Sequence, residues 1–250
     1  IDVAAATFAL ERYENGDSPS AASVLYSALR AQVPTCPFTR LKRLMGKHQK
    51  QWVVKPALPL MPRQIISLVS LTLQRKQYEC LIVILLCFLG YLRISECLGL
   101  HRSAISFLGA NGETLDEKGT PDRLLIRLGR TKTEPAAAFV SDKDTLWLVR
   151  LIHEVWKLLP TGSRRHKKKF VTTLTYPSFS SQLESLLVDL GYQDVHPDET
   201  NETAALKYSS HSLRRGRTTW SYVFLHRTYT QLSQEGRWNA EASVRVYVSG

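Results

Sequence analysis

Apolar residues recur at helical spacing along most of this 250-residue chain. Side chains three and four positions apart share one face of a helix, so such a stripe predicts an amphipathic helix. Residues 80–92 differ, because they are apolar on every face and predict a central buried helix. That stretch is shorter than the roughly 20 residues that a helix needs to cross a bilayer. The pattern predicts helices over residues 21–31, 38–50, 62–73, 77–90, 142–159, 177–190, 211–226 and 240–248.

Two short runs depart from the helical period and predict a β-hairpin. Residues 123–128 and 136–140 are rich in apolar residues, and the segment 129–135 between them has a turn-forming composition. We therefore expect a mainly α protein with one small antiparallel β-sheet, an α+β fold. The polar segment 193–207 is expected to be an exposed loop.

Positive charge is concentrated near the start of the chain. There are 33 Lys and Arg against 22 Asp and Glu, a formal net charge of +11. From Ser18 to Tyr78 there is no acidic residue, and there are ten basic ones. A surface of this kind favours polyanions such as nucleic acid. We expect the phosphate contacts of this region to come from its second predicted helix: Arg40, Lys42, Arg43, Lys47 and Lys50.

Prolines mark a boundary after this basic region. Pro56 and Pro59 each push the preceding residue out of the helical conformation, so residues 55–59 predict a stiff linker. We predict a basic helical domain with its linker over 1–57 and a second domain over 58–250. The chain begins at Ile1 instead of a methionine, which is expected of a processed or trimmed fragment.

The cysteines and the missing motifs exclude several classes of protein. The four cysteines form no C-x-x-C pair and lie in or beside apolar runs, which predicts reduced, buried thiols in a reducing compartment. The sequence lacks the P-loop, zinc-protease and serine-hydrolase motifs, and it has no clustered carboxylates for metal ions. A metal-dependent nuclease is therefore disfavoured, and we expect no metal and no cofactor.

Arg93 directly follows the most apolar helix, in the segment Gly-Tyr-Leu-Arg-Ile-Ser-Glu at 90–96. A charge beside so apolar a segment costs free energy unless it has a partner or an anionic ligand. A pair with Glu96 and a bound anion both remain open from this pattern alone.

Four further residues are candidates for a functional site: His211, Arg214, Trp238 and Tyr247. His211 and Arg214 stand at i and i+3 of a predicted helix, so their side chains share a face and can bind the same phosphate. A basic helix face is more commonly just solvated. Taken singly, Trp238 and Tyr247 are most simply core aromatics.

In their order along the chain, these residues resemble the tyrosine recombinase, or phage integrase, family. Members have an arginine after a helix in a pattern like Leu-Arg-Ile-Ser-Glu, which stands here at 92–96, and a second arginine in H-x-L-R, which stands here at 211–214. A His or Trp follows about two dozen residues later, and the nucleophilic Tyr comes nine residues after that; Trp238 and Tyr247 match. The resemblance covers residues 58–248.

The resemblance implies a catalytic domain over 58–250 and, before it, the end of a helical DNA-clamping domain. It implies that Tyr247 attacks a DNA phosphate and forms a 3′-phosphotyrosine. Four side chains would hold that phosphate: Arg93, His211, Arg214 and Trp238. Trp238 stands where many members have His, so an indole N–H would replace an imidazole donor.

The family also has a general-acid lysine in a β-hairpin turn between the two arginines. Lys132 is the candidate for it in this chain. Arg130 flanks Lys132 and is expected to contact DNA, as is Arg215 beside the second arginine. Glu96 is expected to give structural support.

Three functions are open at this stage. One is a site-specific DNA recombinase that integrates or excises a mobile element, with some resemblance to the eukaryotic Crypton and DIRS types. The others are a relaxase like the type IB topoisomerases and a domesticated DNA-binding protein without turnover. We expect double-stranded DNA as the partner, a homo-tetramer when synapsed on DNA, and no membrane. The expected location is the nucleus in a eukaryote and otherwise the cytoplasm with the nucleoid.

Overall fold

Two units make up the chain, Ile1–Lys55 and Pro56–Gly250. The structure is a computed structural model, and it describes residues 1–14, 19–51, 57–116, 118–130, 135–141, 143–159, 171–192 and 208–248. Each unit has a buried core of its own.

The described part of the first unit contains three helices, α1 (Asp2–Glu14), α2 (Pro19–Gln32) and α3 (Thr39–Gln51). The helices predicted over 21–31 and 38–50 are confirmed, whereas α1 was not predicted. The buried face of α1 is built from Ala5 and Ala9, whose small side chains give a weak hydrophobic signal. These alanines lie in a core with the fully buried Phe38 and Leu41.

The first turn of α3 is capped by a residue of α1. Phe38, directly before α3, has a buried ring and a φ of 45°, and it offers no side-chain oxygen to the helix. Asp2 supplies a carboxylate instead: Oδ2 accepts from the N–H of Arg40 at 3.0 Å and Oδ1 from that of Leu41 at 3.1 Å. The first N–H groups of a helix have no partner within the helix, so this cap fastens α1 to α3.

The second unit combines helices with one small antiparallel sheet. Its strands are β1 (Ile105–Leu108), β2 (Arg123–Arg130) and β3 (Pro135–Val140). The predicted fold class, mainly α with a small antiparallel β-sheet, is confirmed. The helices are α4 (Pro62–Gln74), α5 (Tyr78–Leu89), α6 (Ile94–Leu98), α7 (Leu146–Leu158), α8 (Tyr176–Asp189), α9 (Ser210–Val223), α10 (Tyr229–Gly236) and α11 (Glu241–Val248).

Helix α5 forms the centre of this unit. Every residue from Cys80 to Leu89 is buried, as the all-round apolar pattern predicts. Helix α9 packs beside it, with the rings of Phe88 and Trp220 stacked at 6.4 Å. The turn after α5 therefore lies close to α9.

Helix α9 also packs directly on the backbone before α4. The N–H of Leu60 donates to the carbonyl of Ser212 at 3.0 Å. A Cβ atom added to Gly216 would overlap the carbonyl of Leu60, so only glycine fits at this crossing.

The sheet has the order β1-β2-β3, and both strand pairs are antiparallel. The predicted hairpin is confirmed as β2 and β3. Strand β1 was not predicted, because it has only four residues and its burial pattern lacks alternation. The turn at 131–134 and the segment 193–207, predicted as a loop, lie outside the described residues.

Two further observations concern the apolar segments. None of the described helices is long and apolar enough to span a membrane. Cys80, Cys87 and Cys97 are buried free thiols, as predicted, and Cys36 is partly exposed. Burial raises the pKa of Cys80 to about 12, which keeps this thiol protonated and unreactive.

Candidate active site

Three parts of the second unit carry the predicted site residues. They are the turn from α5 to α6, the first turns of α9, and the segment from the end of α10 through α11. Helix α9 contacts α5, α10 and α11, so it brings these distant parts of the sequence together.

Arg93 lies directly before α6, and its side chain is 49% exposed. Its Nη1 donates to Glu96 Oε1 at 2.8 Å, and its backbone N–H donates to Glu96 Oε2 at 2.8 Å. The pair that the sequence left open is therefore present. The exposed half of the side chain remains accessible to an anion from solvent.

A serine cap sets the start of α9. The N–H of Ser209 donates to Ser212 Oγ at 2.8 Å, and the N–H of His211 donates to Ser209 Oγ at 3.3 Å. This reciprocal capping fixes where the helix begins and hence the direction of each later side chain. Arg214, one turn into the helix, is directed inward and is 1% exposed.

Arg214 makes few hydrogen bonds for a buried cation. Nη2 donates to the carbonyl of Gly236 at 2.6 Å. Nε and Nη1 are buried without a hydrogen-bond partner among the described residues, and the 4.0 Å from Nη1 to Glu96 Oε2 is too long for one. Burial, assisted by the charge of Arg93, lowers the pKa of Arg214 to about 10, so it stays charged at neutral pH. Such a group is suited to bind an anion.

Two aromatic rings flank this guanidinium. The guanidinium carbon of Arg214 lies 4.3 Å from the ring centroid of Trp238 and 5.8 Å from that of Tyr247. The two rings are 5.1 Å apart and tilted by 58°. Thr219 Oγ1 donates to the carbonyl of Tyr247 at 3.0 Å, which holds the end of α11 on α9. The structure thus brings Arg214, Trp238 and Tyr247 of one chain together.

Glu96 is the shared acidic partner of these groups. Besides Arg93, its carboxylate lies 3.7 Å from Arg237 Nη2 and 4.0 Å from Arg214 Nη1. Its side chain is 16% exposed. Three guanidinium groups around one carboxylate leave two positive charges uncompensated within this group. The charge balance therefore favours a bound anion.

His211 is the exposed member of the predicted set. It lies in the first turn of α9, one turn before Arg214. The N-terminal end of a helix carries partial positive charge, so His211 and the helix end are placed to act on the same anion. Its role as a phosphate donor stays a prediction.

Lys132, Arg130 and Arg215 complete the predicted set in the second unit. Lys132 lies outside the described residues, as does the side chain of Arg130, whose backbone ends β2 opposite Pro135. Arg215 is buried at 5% exposure, and burial lowers its pKa. Its contact with DNA stays a prediction.

The predicted DNA contacts of the first unit lie on α3. Arg40, Lys42, Arg43 and Lys47 are exposed there, while the side chain of Lys50 lies outside the described residues. Their contact with DNA stays a prediction.

Sequence reasoning missed two residues that build the site. Arg237 takes a left-handed backbone, with φ 56° and ψ 48°, at the end of α10. Tyr91, with φ 50°, packs its ring edge-on against Trp238 at 6.2 Å. Its hydroxyl donates to Glu235 Oε2 at 2.9 Å and lies 2.8 Å from Ser221 Oγ. The only available signal was that Arg237 adjoins Trp238 and that Tyr91 lies two positions before Arg93.

Arg217 was missed as well. It is 1% exposed and lies between three aromatic rings, 4.7 Å from that of Trp220, 5.5 Å from that of Tyr91 and 6.0 Å from that of Phe88. A single sequence does not distinguish this arginine from one on a solvated helix face.

No described His, Cys, Asp and Glu side chains form a group of three that could hold a metal ion. The site described above is therefore built from guanidinium, carboxylate, imidazole and aromatic groups. Cations and N–H donors of this kind bind phosphate and stabilise charge that develops on it.

Solved structures resemble this chain over most of its length. The Tn1549 transposon integrase in complex with transposon right end DNA superimposes with a TM-score of 0.57 at 16% identity, covering 98% of this chain and 80% of that one. The XerH site-specific recombinase bound to palindromic difH substrate gives a TM-score of 0.50 at 15% identity, covering 78% of this chain and half, 50%, of that one. XerA recombinase gives 0.50 at 12% identity, covering 93% and 78%.

Protein-family models give no match to the chain, and a search of curated proteins gives none. The structural similarity, at identities below those that establish a common activity, concerns the backbone. The chain has the fold of the tyrosine recombinases.

Proposed function

We propose that this protein is a site-specific DNA recombinase that cleaves and rejoins strands through a covalent 3′-phosphotyrosine. The observation that carries the proposal is the placement of Arg214 against Trp238 and Tyr247, with two of its buried nitrogens lacking hydrogen-bond partners among the described residues. A charged guanidinium with N–H groups that lack partners can bind a phosphodiester, and the phenol beside it can then attack the phosphorus.

Electrostatics favour the scissile phosphate as the ligand of this site. Arg93 would reach the phosphate from its exposed side while keeping Glu96 as a partner, and Arg214 would supply Nε and Nη1. As the nucleophile attacks, negative charge grows on the non-bridging oxygens, and preorganised donors stabilise it. His211 and the indole N–H of Trp238 would add further hydrogen bonds.

The bonds formed and broken balance without a cofactor. The phenolic oxygen of Tyr247 forms a bond to phosphorus and releases its proton to solvent, while the bond from phosphorus to the 5′ oxygen breaks. The 5′ oxygen takes up one proton, and Lys132 is the proposed donor. The phosphotyrosine conserves the energy of the broken bond, so the 5′-hydroxyl of another strand can reverse the step. Strand exchange then needs neither ATP nor metal.

The proposal extends to the partner and the biological role. The fold shared with an integrase solved on transposon right end DNA supports a role in mobile-element integration or excision. The exposed cations of α3 would grip the DNA backbone without reading its sequence. We propose specific double-stranded sites as the substrate and a homo-tetramer as the synaptic form.

Covalent trapping tests the chemistry without knowledge of the target site. The probe is a pool of nicked duplexes with randomised sequence, each carrying a 5′-bridging phosphorothiolate so that the leaving group cannot rejoin. Incubated with chelator, the chain should form adducts that survive denaturant and whose DNA converges on a sequence motif. Absence of an adduct from a pool that the chain binds would refute the proposal.

Matched variants assign the nucleophile. Tyr247→Phe should abolish the adduct, whereas Tyr229→Phe, on the neighbouring α10, should retain it. The Lys132→Ala variant should form the adduct slowly on DNA with an ordinary phosphate. It should form the adduct rapidly on the phosphorothiolate, because that leaving group needs no proton. Once the sequence motif is known, DNA that carries it can be used to identify the products. Exchanged strands or Holliday junctions would support a recombinase, whereas relaxation of supercoiled DNA alone would mean that the protein is a topoisomerase.

A further inference from the structure

We infer that Arg237 is a positioning residue that sets Arg93 and Trp238 at their working distance in the proposed phosphate site. The inference rests on the proposed function and concerns a residue that touches neither the nucleophile nor a phosphate. Its side chain connects the turn after α5 with the end of α10, and one of the proposed phosphate-binding residues follows each of these places.

The guanidinium of Arg237 bonds to three backbone carbonyls. Nη1 donates to Gly90 at 3.2 Å and to Glu235 at 3.3 Å, and Nη2 donates to Tyr91 at 3.2 Å. Gly90 and Tyr91 stand just before Arg93 in the chain, and Glu235 lies in the last turn of α10. A planar fork with several donors fixes both segments at once, which a single ammonium cannot do.

The same guanidinium is also a partner of the shared carboxylate of Glu96. Nη2 lies 3.7 Å from Glu96 Oε2, the oxygen that also accepts from the N–H of Arg93. The Arg237 side chain is only 14% exposed, and burial lowers its pKa. When Arg93 shares its guanidinium between Glu96 and a phosphate, Arg237 would remain beside Glu96 as a second partner of this partly buried carboxylate.

The backbone at Arg237 takes a conformation that glycine adopts more readily than arginine. A left-handed conformation at the end of a helix is the position where glycine fits at no steric cost. Arginine occupies this position here, with φ 56°. The N–H of the next residue, Trp238, donates to the carbonyl of Ser233 at 2.9 Å. The hydrogen bonds of the Arg237 guanidinium offset the conformational cost of this backbone. The change of chain direction at Arg237 places the ring of Trp238 against Arg214.

Arg237→Gly isolates the side chain, because glycine keeps the left-handed backbone without strain. We expect the single-turnover rate of adduct formation on saturating phosphorothiolate DNA to fall about 100-fold. A loss of this size is typical when catalytic groups are slightly misplaced. DNA affinity should change by less than about threefold, since the Arg237 side chain is largely buried and is not one of the exposed cations proposed to bind the DNA backbone. Millimolar guanidinium ion, added in solution, should restore part of the rate.

Two variants serve as controls. Arg237→Lys keeps charge and backbone strain but lacks the fork, so it should lose nearly as much rate as Arg237→Gly. Arg102→Ala removes a matched arginine elsewhere in the unit, which stacks on Trp156 at 4.3 Å and donates to its carbonyl at 3.2 Å. It should leave the rate unchanged. Wild-type rate in Arg237→Gly or in Arg237→Lys would overturn the inference, as would a loss confined to DNA affinity.

A readout without cleavage separates this inference from the proposed function. The fluorescence of Trp238 is obtained as the difference between each chain and the same chain carrying Trp238→Phe. Acrylamide should quench this fluorescence more readily in Arg237→Gly than in the parent chain. If the parent chain forms no adduct but this quenching rises, the positioning role stands and the recombinase proposal fails. Adduct formation with unaltered quenching in Arg237→Gly would instead refute the positioning role alone.

Discussion

The guanidinium of Arg214 lies against the indole ring of Trp238, with 4.3 Å from the guanidinium carbon to the ring centroid. Stacking on an aromatic face stabilises a buried cation without occupying its N–H groups. One hydrogen bond, to Gly236, holds the group in plane. The ring of Trp238 also covers Gly236, so a Cβ there would overlap the indole. The two residues thus form one unit in which the ring orients the arginine and leaves its remaining donors available.

Trp238→Phe separates the two roles of the indole. The smaller ring keeps an aromatic face toward Arg214 but removes the N–H that we propose as a phosphate donor. We expect adduct formation to slow about 100-fold, as for loss of one preorganised donor, with stability nearly unchanged. Trp238→Ala should in addition destabilise the fold by about 3–5 kcal/mol, because the side chain is 9% exposed. Single-turnover trapping and thermal unfolding measure the two effects.

Trp220→Phe is the matched control, because the ring of Trp220 packs on Phe88 and Arg217 and is not among the proposed phosphate-binding groups. Its adduct rate should equal that of the parent chain. A Trp238→Phe chain with full rate would mean that the indole acts through packing alone.

Gly216→Ala tests the crossing of α9 over the backbone of Leu60. The added methyl would overlap the Leu60 carbonyl, and backbone cannot move aside as a flexible side chain does. We expect a loss of about 1–3 kcal/mol in the free energy of unfolding of the second unit. Gly46→Ala, at a helical site where a Cβ meets nothing within 4 Å, should instead stabilise α3 by about 0.5–1 kcal/mol. Calorimetry on both variants checks the contrast, and equal transition temperatures for Gly216→Ala and the parent chain would contradict it.

Sequence patterns predicted the elements whose signal is local. The apolar run of α5, and the two short apolar-rich runs of β2 and β3 with a turn-forming segment between them, are signals within short stretches of sequence, so they could be identified without a structure. The resemblance to the tyrosine recombinases predicted that Arg214, Trp238 and Tyr247 belong to one site, and the structure brings their side chains together. Helix α1 was missed since alanines carry little hydrophobic signal, and α6 since five residues complete little more than one turn.

The supporting residues could not be predicted, because their roles depend on contacts between distant segments. Arg237 bonds to carbonyls almost 150 positions earlier, at sequence separations of 146 and 147. Arg217 follows Arg214 by one turn and is equally basic, yet aromatic rings from α5 and the following turn enclose it. Burial of a charged side chain is decided by tertiary packing, which composition does not report.

Tyr91 provides a pH-dependent test of the packing around the site. Burial raises its pKa to about 12, the charge of Arg217 opposes this, and Glu235 adds to it. An unfolded tyrosine titrates near pH 10. Since the folded pKa is the higher one, the contribution to stability is complete below about pH 10 and is lost as pH rises toward 12. Tyr91→Phe should therefore lose less stability than the parent chain between about pH 9.5 and 11.

Urea unfolding at several pH values measures this difference. Tyr176→Phe is the control, because that ring is 54% exposed, and its stability should follow the parent curve. Parallel pH curves for Tyr91→Phe and the parent chain would show that the phenol titrates normally.

Asp2→Ala tests the cap between α1 and α3. Burial opposes ionisation of Asp2, but the N–H groups of Arg40 and Leu41 and the charge of Arg40 outweigh it, and the pKa is lowered. Since the folded pKa lies below the unfolded value of about 3.9, the cap's stabilisation is present above that pH and is lost as pH falls through the folded pKa. The amides of Arg40 and Leu41 should therefore exchange faster in Asp2→Ala at neutral pH.

In the parent chain these two amides should lose protection only in acid, after correction for the intrinsic exchange rate. Asp116→Ala is the matched control, because Asp116 Oδ1 accepts from the N–H groups of Lys118 and Gly119 in the second unit. That variant should leave exchange at residues 40 and 41 unchanged. Hydrogen exchange followed by NMR resolves the individual amides, and undiminished protection of both in Asp2→Ala would mean that α3 keeps its first turn without the carboxylate.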